Sequence, residues 1–162
     1  GAALRAGKEP DLDAGTRGGA ELELHVAALI PDDYLHDVHA RLMLYKRIAS
    51  ANSPEQLRDL QVEMIDRFGL LPDATRNLFA ITRLKLQADA VGLQRVDIGP
   101  RGGRLLFAPD ARPDVEALLR LVHESPSRYR LAGPEKLQFL DEIEDGDERI
   151  EAVAKLLDRL AA

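Results

Sequence analysis

The chain has no cysteine and no tryptophan, and only 4% of its 162 residues are aromatic. Without thiols there are no disulfides, no thiolate metal sites and no cysteine nucleophile, and a reducing, cytoplasmic setting is expected. With so few aromatic residues, the 45% hydrophobic content describes a core of Leu, Ile, Val and Ala, sufficient for one domain of ordinary size. No stretch approaches the roughly 20 apolar residues of a membrane helix, and the polar, glycine-containing start is unlike a signal peptide, so no membrane contact is expected. Positive charge is also in deficit. A formal net charge of -6 and 28 acidic residues repel a phosphate backbone, which disfavours general nucleic-acid binding and favours basic protein partners. A local basic patch remains compatible with that total.

Motifs of catalysis are missing too. There is no P-loop, no dinucleotide glycine fingerprint and no nucleophile elbow. Gly99-Pro100-Arg101-Gly102-Gly103 is glycine-rich, but it joins two strand-like runs rather than opening a helix, and it reads as a hairpin turn. His36 and His39 stand three apart near Asp32, Asp33 and Asp37, yet no third ligand is indicated and the group reads as a solvated helix start. No catalytic residue, metal ligand or cofactor is assigned, and the chain is not expected to be an enzyme.

What is present is a helix-rich α+β pattern. Residues 1–20 lack an initiating Met and any period, and are expected to be a flexible linker within a longer protein; 21–162 form the domain. A half-buried strand is expected from the alternation over 21–26. Three helices follow, over 35–51, 54–68 and 72–91. The first is expected to be capped by Asp32 or Asp33 and to turn Leu35, Val38, Leu42, Tyr45 and Ala49 inward. A hairpin comes next, 95–98 and 104–107 around a five-residue turn. A helix over 112–124 is expected to bury Val115, Leu118, Leu119 and Val122. A second hairpin, 128–131 and 136–139, precedes a last helix over 147–160 with Ile150, Val153, Leu157 and Leu160 inward. The acidic run from Glu142 to Glu151 suits the positive end of that helix. The fold class is thus a single α+β domain: an N-terminal strand, a three-helix segment, and two short β-hairpins interleaved with two further helices.

The second helix carries the most informative surface. Ser53, Pro54 and Gln56 make a start signal with a capping box, and Gly69 a stop signal. At 100° per residue, Glu55, Asp59, Glu63 and Asp66 fall within about 40° of one line. Leu57, Leu60, Met64 and Phe68 lie opposite. Like charges four apart repel mildly. A stripe with no internal partner invites a basic surface that binds through charge-assisted contacts. This reading requires the carboxylates to be exposed and free of arginines from their own fold. A second surface, Arg128, Arg130 and Lys136 on the second hairpin, leaves a nucleic-acid-binding accessory domain as the alternative.

The runs Leu29-Ile30-Pro31-Asp32-Asp33-Tyr34, Arg41-Leu42, Tyr45-Lys46-Arg47-Ile48-Ala49 and Glu63-Met64-Ile65-Asp66-Arg67-Phe68-Gly69-Leu70-Leu71-Pro72 resemble the C-terminal domain of the bacterial transcription-repair coupling factors. Tyr129-Arg130-Leu131, Gly133-Pro134 and Lys136-Leu137-Gln138-Phe139 are similar to that family's second hairpin. The likeness covers about residues 21–160, and Ala6-Gly7-Lys8-Glu9-Pro10 is similar to the linker from the family's motor. The resemblance implies a parent that is an ATP-driven DNA translocase. Such a parent acts on stalled RNA polymerase and recruits the excision-repair protein UvrA. It further implies that this domain is non-catalytic and autoinhibitory: it would pack on a UvrB-like module of the same chain, cover the UvrA-binding surface and restrain the motor. By the resemblance, Glu63 and Asp66 match acidic positions that meet basic residues of that module. Asp59 is added by the helical geometry alone.

Overall fold

The structure is a computed structural model that describes residues 19–161. Most of the linker expected over 1–20 lies outside the described residues, but Ala20 is fully buried, so the packed domain starts by that residue.

The elements follow the expected order. They are β1 (Glu21–Glu23), α1 (Val38–Ala49), α2 (Pro54–Phe68), α3 (Asp73–Ala90), β2 (Leu93–Gly99), β3 (Gly102–Phe107), α4 (Val115–Glu124), β4 (Tyr129–Leu131), β5 (Lys136–Phe139) and α5 (Gly146–Ala161). The strands join into one sheet of order β1-β2-β3-β5-β4, in which β1 runs parallel to β2 and the other neighbours are antiparallel. Alternation gives the sheet two different faces. Val96, Ile98, Leu105, Leu137 and Phe139 point into a core with Leu84 and Ala88 of α3, Leu118 and Leu121 of α4, and Val153, Leu156, Leu157 and Leu160 of α5. A second cluster holds Leu44 and Ile48 of α1, Leu57, Leu60 and Met64 of α2, and Phe79 of α3, with Ile30, Leu35 and Leu71 from the connections. Each fully buried side chain of this kind contributes about 1.5–3 kcal/mol through water exclusion.

Several sequence expectations are corrected by tertiary contacts. α1 starts at Val38 under Asp37, whose carboxylate accepts from the His39 and Ala40 backbone N–H groups, and neither Asp32 nor Asp33 caps it. Residues 31–35 are instead occupied by a turn in which Tyr34 and Leu35 N–H donate to the Pro31 carbonyl. The inward face of α1 is Leu44 and Ile48; Val38, Leu42 and Ala49 are exposed. In α4, capped by Asp114, Ala117, Leu118 and Leu121 face in while Val115 and Leu119 face out. The first hairpin has a two-residue turn, Pro100-Arg101, because the ladder continues to a Gly99–Gly102 pair. Gly102 has φ 98°, and a Cβ there would press on the Phe139 carbonyl, so glycine is required.

Arg149 is buried without a carboxylate among the described residues. Its guanidinium donates to the carbonyls of Leu24 (2.9 Å), Ile143 (2.7 Å) and His25 (3.2 Å), tying the entry strand to α5. Removing the donors leaves several carbonyls around the buried guanidinium without partners. Arg149→Met is expected to lower stability by about 2–4 kcal/mol in urea denaturation, against less than about 0.5 kcal/mol for Arg101→Met on the exposed turn.

Candidate interaction surface

α2 forms as its sequence signals require. Ser53 Oγ accepts from the Gln56 N–H, Pro54 opens the helix, and Gly69 closes it at φ 100° with its N–H on the Ile65 carbonyl. The Gln56 side chain reaches back to the Asn52 N–H, one residue beyond the expected box partner. Leu57, Leu60 and Met64 are buried and Phe68 partly so. The C-terminal end is further fixed by Tyr34, whose hydroxyl donates to the Gly69 carbonyl at 2.7 Å and whose ring meets Phe68 edge-on at 6.2 Å. Burial pushes the Tyr34 phenol above its ordinary pKa. Two runs that carry the family resemblance, 29–34 and 63–72, are therefore joined in space.

Glu55, Asp59 and Asp66 are exposed, and none of them forms an ion pair among the described residues. Val62 lies three residues after Asp59 and four before Asp66, on the same side of the helix, and is 53% exposed. Leu70, just past the helix, is 84% exposed. The outward surface is thus a line of carboxylates with apolar side chains beside it.

Glu63 departs from expectation. Its carboxylate takes a two-pronged contact from Arg47 at the end of α1, Nη1 to Oε2 at 2.7 Å and Nη2 to Oε1 at 2.8 Å. Arg67 adds a longer contact, Nη1 to Oε2 at 3.3 Å, while its guanidinium lies 4.8 Å above the Phe68 ring. The stripe therefore does have internal compensation at Glu63, contrary to the sequence reading. Arg47 was invisible to helical geometry because it sits on another helix, 16 residues away, and only the packing of α1 on α2 brings it within reach. Val62 was accessible to the same helical projection that found the acids. A cleft of about 350 Å³ opens beside the pair, lined by Arg47, Ser50, Ala51, Gln56, Asp59, Leu60 and Glu63.

The second basic surface is also rearranged. Arg128 is held by Asp141, Nε to Oδ2 at 2.6 Å. Arg130 and Arg104 both stand opposite Gln138 across the ladders, and Lys136 is two residues from it, so Arg104, Arg130 and Lys136 share the open face of the sheet. None of these three has an ion-pair partner among the described residues. Among those residues, too, no helix is long and apolar enough to cross a membrane.

The hydrogen bonds from Arg47, then the charges of Arg47 and Arg67, hold the Glu63 carboxyl below its usual 4.5, at about 2. The group's folded-state pKa is depressed, so its stabilising contribution is complete above about pH 4.5 and is lost as pH falls towards 2. Carboxyl-carbon NMR of Glu63 is expected to titrate near 2 in the native chain and to return towards 4.5 in Arg47→Met.

Comparison with known proteins identifies the family of the chain. The TRCF domain family matches residues 24–118. The transcription-repair-coupling factor of Haemophilus influenzae is 46% identical over 160 residues, which is 99% of this chain and 14% of that protein. Its Escherichia coli counterpart is 41% identical over 158 residues, 98% of this chain and again 14% of the longer protein. A crystal structure of the C-terminal domain of a transcription-repair coupling factor superposes with a TM-score of 0.70 at 27% identity, covering 89% of this chain and 92% of that one. The chain belongs to the TRCF domain family, that of the transcription-repair coupling factors.

Proposed function

We propose that the chain is a non-catalytic, autoinhibitory interaction domain of a transcription-repair coupling factor, acting in transcription-coupled nucleotide-excision repair. In this reading the outer face of α2 docks on basic residues of a UvrB-like module in the same parent chain. Docking masks the module's UvrA-binding surface and restrains an ATP-driven DNA translocase; UvrA and RNA polymerase are met only through the parent. The observation that carries the reading is the pair of exposed carboxylates without ion-pair partners among the described residues, Asp59 and Asp66, flanking exposed Val62 on a helix anchored through its opposite side. Glu63 enters as a carboxylate already engaged by Arg47.

The energetic logic is that of a clasp. Exposed ion pairs are individually weak and salt-sensitive. A covalent tether raises the effective concentration of the two surfaces to roughly the millimolar range, so weak contacts suffice to hold the closed state. Activation then needs to tip a balance of only a few kcal/mol.

Asp59→Arg with Asp66→Arg is expected to abolish binding to the isolated UvrB-like module in a low-salt titration, with the thermal midpoint unchanged within a few degrees. UvrA is expected to compete with the unaltered chain. Equal affinity of the double variant and the original would remove the reading. Glu63→Arg is a poorer test, because it would crowd a third guanidinium against Arg47 and Arg67.

A second reading, a nucleic-acid-binding accessory domain, is favoured only by Arg104, Arg130 and Lys136 on the open sheet face. It requires a low-salt gel shift that Arg130→Glu with Lys136→Glu removes. The acidic total charge predicts no shift.

A further inference from the structure

Glu63 can form three of its contacts without leaving the domain. A carboxylate offers about four lone-pair directions. Arg47 fills one on each oxygen, and Arg67 fills a second on Oε2. The remaining direction lies on Oε1, so an incoming guanidinium meets Glu63 through a single N–H unless Arg47 lets go.

We infer that Arg47 is a built-in competitor for the basic partner: it holds Glu63 with the same two-pronged fork that a partner's arginine would use, and so keeps the docked state weak enough to open. The inference rests on the docking reading of α2 given above. The occupant is a partner surface bearing arginine, matched to the carboxylates of Asp59, Glu63 and Asp66.

Three features of the structure support the competition. The Arg47 fork is complete, at 2.7 and 2.8 Å, so the geometry that makes arginine pairing strong is already used inside the fold. Both side chains are reachable from solvent, at 48% and 36% exposure, so an exchange of guanidinium groups needs no unfolding. The cleft beside the pair is lined by Asp59, one helical turn from Glu63, which gives a displaced Arg47 another carboxylate to approach. Arg67 competes less, since its contact is single and its guanidinium is also placed over Phe68.

The test compares affinities of the chain for the isolated UvrB-like module at low salt. Arg47→Met keeps the apolar stem and removes the fork. It is expected to tighten binding about three- to tenfold, with the gain shrinking as salt rises. On a Glu63→Gln background the same change is expected to give less than about twofold, because no engaged carboxylate is left to free. Circular dichroism and the thermal midpoint check that each variant is folded. Unchanged or weaker binding by Arg47→Met, or an equal gain on the Glu63→Gln background, overturns the competition while binding that depends on Asp59 and Asp66 leaves the docking reading standing. Absence of binding by the original chain and by Arg47→Met alike overturns the docking reading and the competition together.

Discussion

The position of α2 relative to the sheet depends on α3, which is held in two cores at once. Phe79 lies in the cluster shared with α1 and α2, while Leu84 and Ala88, about one and a half and two and a half turns further on, lie in the cluster beneath the sheet. The helix thus couples the helical part of the domain to the sheet. Its first turns also hold the segment between β1 and α1: Thr75 Oγ1 donates to the Leu29 carbonyl, the Leu29 N–H to the Ala74 carbonyl, and the Asn77 side chain to the Ala27 carbonyl. That segment in turn delivers Tyr34 to the end of α2. The backbone that carries these carboxylates is thereby already ordered, which under the proposed docking would lower the ordering cost of binding.

The electrostatics of α2 are subtler than a row of unopposed acids. One carboxylate is engaged by its own fold and two of its neighbours are free of ion pairs among the described residues. Such an arrangement separates two tasks. The Arg47–Glu63 pair links the end of α1 to the middle of α2 and orients the cleft between them. Asp59 and Asp66 remain as the charges that act at a distance, and exposed Val62 between them supplies apolar contact without charge. Under the proposed docking, such a surface would steer a basic partner, with its strength limited by screening.

How far the sequence could be read depended on whether a feature is local. α2 was legible end to end, because Ser53, Pro54 and Gly69 each act within one turn of the chain. α1 was not. Three aspartates at its start are all competent caps, and the choice of Asp37 follows from the turn at Pro31 and from Arg41, which donates to the Leu35 and His36 carbonyls and so satisfies groups that a longer helix would have used. In α4 the apolar period is satisfied by two registers, and only the packing of Leu118 and Leu121 under the sheet decides between them. The first hairpin turn is two residues rather than five because Gly99, Gly102 and Gly103, read as turn residues, belong to the ladder. At the interaction surface Asp59 and Asp66 were placed outward correctly by geometry alone, whereas the Arg47 fork on Glu63 depends on an interhelical contact that no one-helix projection contains.

Net charge is a coarse guide to what such a domain can meet, and the fold shows why. Screening confines each charge to a neighbourhood of roughly 8 Å at physiological salt, so a partner senses a face rather than the total. This chain, at -6 overall, presents an acidic helix face and, on the open side of its sheet, Arg104, Arg130 and Lys136 without ion-pair partners among the described residues. The same sheet face also carries Glu21, Glu23 and Asp97 beside Arg95, so it is mixed in sign where the α2 face is acidic. A phosphate backbone drawn to the sheet would still be repelled by the surplus of carboxylates nearby. A basic protein surface drawn to α2 meets both the field and an adjoining apolar side chain to exclude water. The combination of charge and exposed Val62, rather than charge alone, is what makes the acidic helix the better candidate for a specific contact.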